Sequence, residues 1–231
     1  MTSNVTYIFQ LESGVEHRFE VKLGRAAAGG DLPAWTRLEE DKCPHCPLPS
    51  TPGARCPAAA DLVPAVEKFS ALSSIDKIDV LVVTPEYEAR KRTDTQTALS
   101  ALMGLILATS ACPILGHLRP LAYTHRPFAS PTEMVYRIVS MQLTGCFLRG
   151  EPVGLYGLDA LLADIDQLNH AFSGRLNRAV QRDAGINALV ALHSRSMLVS
   201  LSIEAELENI RAWFQRTREG GSTGAPEERA K

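Results

Sequence analysis

An excess of charge of either sign is missing from this chain: 24 Lys and Arg stand against 26 Asp and Glu, a net charge of -2 with a pI near 6.3. That balance leaves no electrostatic footprint for DNA, RNA or an acidic membrane, and a nucleic-acid partner is not expected. A long apolar run is also missing. Ala98 to Gly116 carries no charge and comes close to the roughly 20 residues a bilayer span needs. It is broken by Ser100, Thr109, Ser110, Cys112 and Pro113 and has no flanking aromatic belt, so a buried core helix is expected there and no membrane span. Met1 to Tyr7 has neither a basic region nor an apolar one of the kind that starts a secretory signal. The expectation is a soluble protein of the reducing cytoplasm, in which five cysteines are not a disulfide framework. Missing too are a Gly-rich phosphate loop, a nucleophile elbow and an HExxH motif, while Gly24 and Gly29-Gly30 make no dinucleotide fingerprint. There is no internal repeat.

What is present is an ordinary globular composition, 45% hydrophobic and 22% charged, long enough to bury a core. Val5, Tyr7, Phe9 and Leu11 alternate, Glu12-Ser13-Gly14 turns the chain, and Val15 to Leu23 returns it, which predicts a β-hairpin. Ile78 to Thr84 and Tyr87 to Arg92 predict a second hairpin around Pro85, and the two hairpins together one antiparallel sheet. Asp61 is the expected cap of a short helix through Phe69 and Leu72. Thr93 or Asp94 caps a helix, Ala98 to Ala108, that is apolar on nearly all sides, and Ser130-Pro131-Thr132-Glu133 is a capping box opening a helix to about Leu148. Leu158, Leu161, Leu162, Ile165, Leu168, Phe172 and Leu176 recur at helical spacing, and Ile186 to Phe214 is a further helical stretch. The expected fold class is α+β: a small antiparallel β-sheet with a Cys-rich metal-binding loop, packed on a bundle of about five helices. By residue, 1–94 is the β-rich segment with the Cys/Pro loop, 95–217 the helical bundle (one structural unit with the first), and 218–231 a disordered tail.

The cysteines carry the chemistry. Cys43, Cys46, Cys56 and Cys112 are each followed by proline, whereas Cys146 sits mid-helix on the apolar side. Cys43-x-x-Cys46 lets one loop present two thiolates to one ion, Cys56 lies ten residues on, and Cys112 is the best fourth ligand, with His45 and His117 as its rivals. Proline after cysteine stiffens the loop, but Pro47 has no N–H to give to sulfur, so this is not a standard zinc-ribbon half-site. Lys42, Arg55 or His45 would offset the charge of four thiolates. Zinc is the expected metal, an iron–sulfur cluster the alternative, and plain thiols or a Cys43/Cys46 redox pair the metal-free reading.

A second cluster follows Cys112. Arg119, His125, Glu133 and Arg137, with His117 and Arg126, form a possible polar site in which His125 is a general base, Glu133 its orienter and an arginine the anion holder. The competing structural reading has Glu133 in the helix cap, Arg137 paired with it, and His125 packed between Pro127 and Phe128. Asn169, His170 and Arg175 read as the solvated face of their helix.

The order and spacing of Trp35, Cys43-Pro-His-Cys46-Pro-Leu48, Cys56-Pro57, Gln96 to Pro113, Leu118-Arg119-Pro120, His125, Pro127, Phe128, Glu133 and Arg137 to Met141 resemble a bacterial family catalogued as domain of unknown function 6901. The resemblance runs over roughly residues 5 to 215 and departs from the family at Ala111, where Gly is expected, and at Thr124-His125-Arg126, where apolar neighbours are expected. It implies one structural unit, implies that Cys112 belongs with the three earlier cysteines, and carries no activity. The functional expectation is a non-enzymatic, zinc-stabilised binding or scaffold protein with a homo-oligomeric or protein partner. The alternatives are an iron–sulfur redox or sensor protein on the same cysteines, and an enzyme using His125 and Glu133.

Overall fold

In the computed structural model, residues 4–24, 29–179 and 205–215 are described. Strands β1 (Asn4–Leu11) and β2 (Glu16–Lys22) form the first hairpin, with Tyr7 opposite Phe19. Strands β3 (Lys77–Val83) and β4 (Glu88–Asp94) form the second. Antiparallel pairing of β1 with β3, Phe9 opposite Val80, joins them into a four-stranded sheet of order β2-β1-β3-β4. Strand alternation sends Val5, Tyr7, Phe9, Phe19, Val21, Ile78, Val80 and Val82 to one buried face. The edge strand β4, Glu-Ala-Arg-Lys-Arg-Thr-Asp, is mostly charged and exposed, which discourages pairing with another chain.

The buried face is covered by helices α1 (Pro57–Phe69) and α2 (Thr95–Thr109). Phe69 closes α1 against Phe9 edge-on and Phe19 face-on. Helix α1 starts earlier than its predicted cap: Pro57 is at the first helical position, Cys56 is the N-cap residue, and Asp61 lies inside. Ala58, Ala59 and Ala60, good helix formers and all buried, extend it back to the proline. Helix α2 follows β4 directly, capped by Asp94, whose side chain accepts from the Thr97 amide. Its side chains are buried nearly all round, from Ala98 through Leu102 and Met103 to Thr109. At 15 residues it spans roughly 22 Å, short of a bilayer, and among the described residues no helix is long and apolar enough to cross a membrane.

After α2 come a 3₁₀ turn at Leu115–Leu118, the short α3 (Arg119–Tyr123), then α4 (Pro131–Arg149) and α5 (Leu158–Ala179). The Ser130–Glu133 capping box is complete in both directions, and Gly150 ends α4 in the left-handed conformation. A sixth α-helix, 205–215, buries Ile210 with Val135, Ile138, Leu158 and Leu162. One core runs from the sheet through α1 and α2 to Ile165, Leu168, Phe172 and Leu176 of α5. Most of the predicted Ile186–Phe214 helix, and the predicted tail 218–231, lie outside the described residues.

Candidate functional site

The segment between the hairpins, 34–57, is an irregular chain tied down by specific bonds. The Leu38 amide donates to Ala54 O at 2.7 Å and the Cys56 amide to Thr36 O at 2.8 Å, so Arg37 and Arg55 bridge as an isolated antiparallel pair. Lys42 Nζ reaches Leu48 O (2.7 Å) and Ser50 (3.0 Å), and Arg55 reaches Pro33 O (2.9 Å) and Thr36 (3.0 Å). Both cations hold the loop's own backbone in place. Inside it, the Cys46 amide donates to Cys43 O at 3.0 Å, a tight turn that puts the two cysteines side by side.

Cys43, Cys46, Cys56 and Cys112 all line one cavity of about 20 Å³, with Leu38, Leu48, Ile114, Phe172 and Arg175 among its other walls. Three separate stretches deliver them: the loop gives two, the N-cap of α1 gives Cys56, and the turn after α2 gives Cys112. All five cysteines are free thiols, and Cys146 is apart from the four, near the end of α4 with Gln142 and Arg149 close to its sulfur. Burial pushes the Cys43 thiol up to about 11, reinforced by Cys56, Cys46 and Cys112, each of which repels its thiolate. Burial also raises Cys56, against amides of Ala59 and Ala58 that donate toward its sulfur and against the nearby Arg175 guanidinium. Cys112 is raised by burial too, against the amides of Leu115 and Ile114. The amide donors that Pro57 and Pro113 cannot supply thus come, for Cys56 and Cys112, from one and two residues beyond each proline, in the case of Cys56 at the start of α1.

Arg175, read from the sequence as solvated, is 1% exposed. Its Nη1 donates to Trp35 O (2.7 Å) and Arg37 O (2.5 Å), and Nη2 to Asp41 O (3.2 Å). Asn169, read the same way, is buried as well, while His170 is exposed. The signal was in the spacing: Arg175 is seven residues after Leu168 and three after Phe172, on the apolar face of α5. Its neighbour Arg178 pairs with Asp41 and, at 3.6 Å, with Glu40. Both ring nitrogens of His45 are buried with no hydrogen-bond partner among the described residues. Also among the described residues, no group of three or more His, Cys, Asp or Glu side chains is placed so as to hold a metal ion; the four thiols share a cavity wall without converging on a point.

The second cluster is arranged differently from the predicted base-and-orienter. Glu133 Oε2 accepts from the Ser130 amide at 2.8 Å, and its other oxygen stands 3.5 Å from Arg126 Nε. Among the described residues, no hydrogen bond joins Glu133 to His125 or to Arg137. His125 Nε2 is instead 2.6 Å from the hydroxyl of Tyr7, a fully buried residue of β1, and the Tyr87 hydroxyl donates to His125 O. Arg137 donates through Nη2 to Leu121 O and Thr124 O, each at 2.8 Å. Arg119 donates to Ser110 O at 2.9 Å, steadying the end of α2 beside Cys112, and His117 is exposed. Burial and the neighbouring Arg137 hold His125 down at about 4, so it is neutral near pH 7. His125 and Arg137 line a larger cavity, about 200 Å³, between α2, α3, α4 and α5; Arg119 and Glu133 do not.

Fold and site together define an α+β domain with four thiols, two buried and two half-buried, lining one cavity at the junction of loop, sheet-covering helices and α5. The chain belongs to the family described as a domain of unknown function, DUF6901, whose model matches residues 5–215. No curated protein and no solved structure matches it.

Proposed function

We propose that Cys43, Cys46, Cys56 and Cys112 bind one zinc ion of structural role, in a non-enzymatic binding or scaffold protein. The observation that carries this reading is the meeting of four thiols from three stretches of chain on one cavity of about 20 Å³. That is little more than the roughly 10–15 Å³ one water occupies, the right scale for a single ion. A cluster of several irons and sulfides is far larger, which sets the iron–sulfur alternative second. Four clustered thiols with one neighbouring cation repel one another when ionised, and a divalent ion removes that repulsion. The amides aimed at Cys56 and Cys112 suit thiolates, and the orphaned nitrogens of His45 suit a loop whose donors have a charged sulfur to reach. Ligation takes a rearrangement of the thiol side chains from their present positions. Zinc would supply a cross-link between the loop, α1 and the end of α2, and Arg175 would offset part of the site's negative charge.

The enzyme alternative on His125 and Glu133 draws little from the geometry, because Glu133 is engaged by the Ser130 amide and Arg126 and, among the described residues, makes no bond to His125. Self-association or a protein partner belongs to the same scaffold reading; Phe147 and Leu148 of α4, 73% and 76% exposed, supply apolar surface suited to it. Elemental analysis with an absorption spectrum, on protein purified without oxygen or chelators, tests the metal. About one zinc per chain and no colour is expected for a four-thiolate site. Iron with sulfide and a broad band near roughly 400 nm would favour the redox alternative. Neither metal, together with soluble and fully folded Cys→Ser variants, would overturn the structural role.

A further inference from the structure

The cavity between α2, α3, α4 and α5 is independent of the thiols and has a chemistry of its own. At about 200 Å³ it exceeds the roughly 150 Å³ engineered cavity that holds benzene, so it accommodates a substituted ring. Its walls are largely apolar, among them Leu105, Leu121, Met134, Ile138 and Ile165. The polar groups it presents include two with unspent donors. Arg137 uses Nη2 on two backbone carbonyls; among the described residues, Nε and Nη1 have no partner and no carboxylate pairs with the guanidinium. The second donor follows from Tyr7. That hydroxyl is fully buried with His125 Nε2 as its partner, so its proton must go to Nε2. Neutral His125 then carries its own proton on Nδ1, which makes no hydrogen bond among the described residues.

We propose that this cavity binds a small monocarboxylate whose apolar body is about the size of one substituted benzene ring, with Arg137 and His125 Nδ1–H as the carboxylate's donors. A half-buried guanidinium with no carboxylate bonded to it among the described residues favours an anion, and the apolar walls favour a body with no further polar groups. Arg126, also on the wall, is already paired with Glu133 and contributes less.

Titration calorimetry of the full chain with benzoate and phenylacetate, against benzamide and phenylacetamide, tests this directly. The acids are expected to bind saturably and at least about tenfold more tightly than their amides, the span a charge-assisted hydrogen bond provides. Arg137→Gln should erase that preference, Arg126→Gln should change it by no more than about twofold, and Ala101→Phe, which puts a ring into the cavity, should abolish binding. Because Arg137 also anchors two carbonyls, the acid–amide comparison on the unaltered chain stands by itself. No saturable binding of either acid, or equal binding of acid and amide, would overturn the proposal.

Discussion

Tyr7 has no route to water, so its hydroxyl depends on His125, and His125 depends in turn on staying uncharged. The ring titrates near 6.5 in an unfolded chain and at about 4 in the folded one. Above pH 6.5 neither state binds the proton; as pH falls below it, only the unfolded chain does, and stability drops until the folded ring also protonates near 4. The loss over that window is roughly 2–3 kcal/mol. Urea unfolding at pH 7 and pH 4.5 should show the native chain losing more than His125→Gln by about that amount; parallel losses would mean that His125 is not held neutral. The buried Arg175 supports a second set of groups, the carbonyls of Trp35, Arg37 and Asp41. Arg175→Met leaves the Trp35 and Asp41 carbonyls unpaired, while Arg37 O keeps the Glu40 amide, at roughly 1 kcal/mol or more each and about 2 kcal/mol in total. Arg175→Lys should recover less than half of it, since an ammonium cannot span three acceptors as a planar fork does. Denaturant midpoints of the two variants check the order.

At the scale of elements, local rules decide where each begins. Asp94 ends β4 and caps α2 at one stroke, so Asp94→Ala should cost about 1 kcal/mol while Asp94→Asn stays close to neutral, both read from thermal unfolding. Both hairpins, the α4 capping box and the apolar α2 were legible because each is a short-range pattern: alternation, a turn residue, a cap. The start of α1 was not, because Asp61 looks like a cap while Pro57 and three buried alanines move the cap five residues earlier, to Cys56. Arg175 was misread for a related reason. Charge argues for solvent, and only the backbone of a loop about 140 residues away supplies the acceptors that bury it. Tyr7 with His125 was beyond reach for the same cause, being a contact between β1 and the segment after α3.

For the whole molecule, the thiol cluster is the junction through which loop, α1, α2 and α5 meet. Structural zinc contributes on the order of 10 kcal/mol in small domains, and even half of that, at roughly 2–4 °C per kcal/mol for a chain of this size, is a large shift. Treatment with a strong chelator under reducing conditions should therefore lower the melting temperature by more than about 10 °C, and zinc should restore it. A melting temperature indifferent to both would remove the metal from the account of stability. That Cys112 lies on the same cavity as the other three was expected from the sequence through the family resemblance and the shared Cys-Pro pairs.

The strand order β2-β1-β3-β4 also sets a timetable for the newly made chain. Strand β1 is synthesised first but finishes in the middle of the sheet, between partners that begin at residues 16 and 77. On the ribosome its hairpin with β2 closes at once, and its other edge then waits, bare, for β3 to emerge. At about 5–20 residues per second that wait lasts several seconds. During it, Asn4 to Leu11 offers an open strand edge to any neighbouring nascent chain, a hazard that ends when β3 pairs with it.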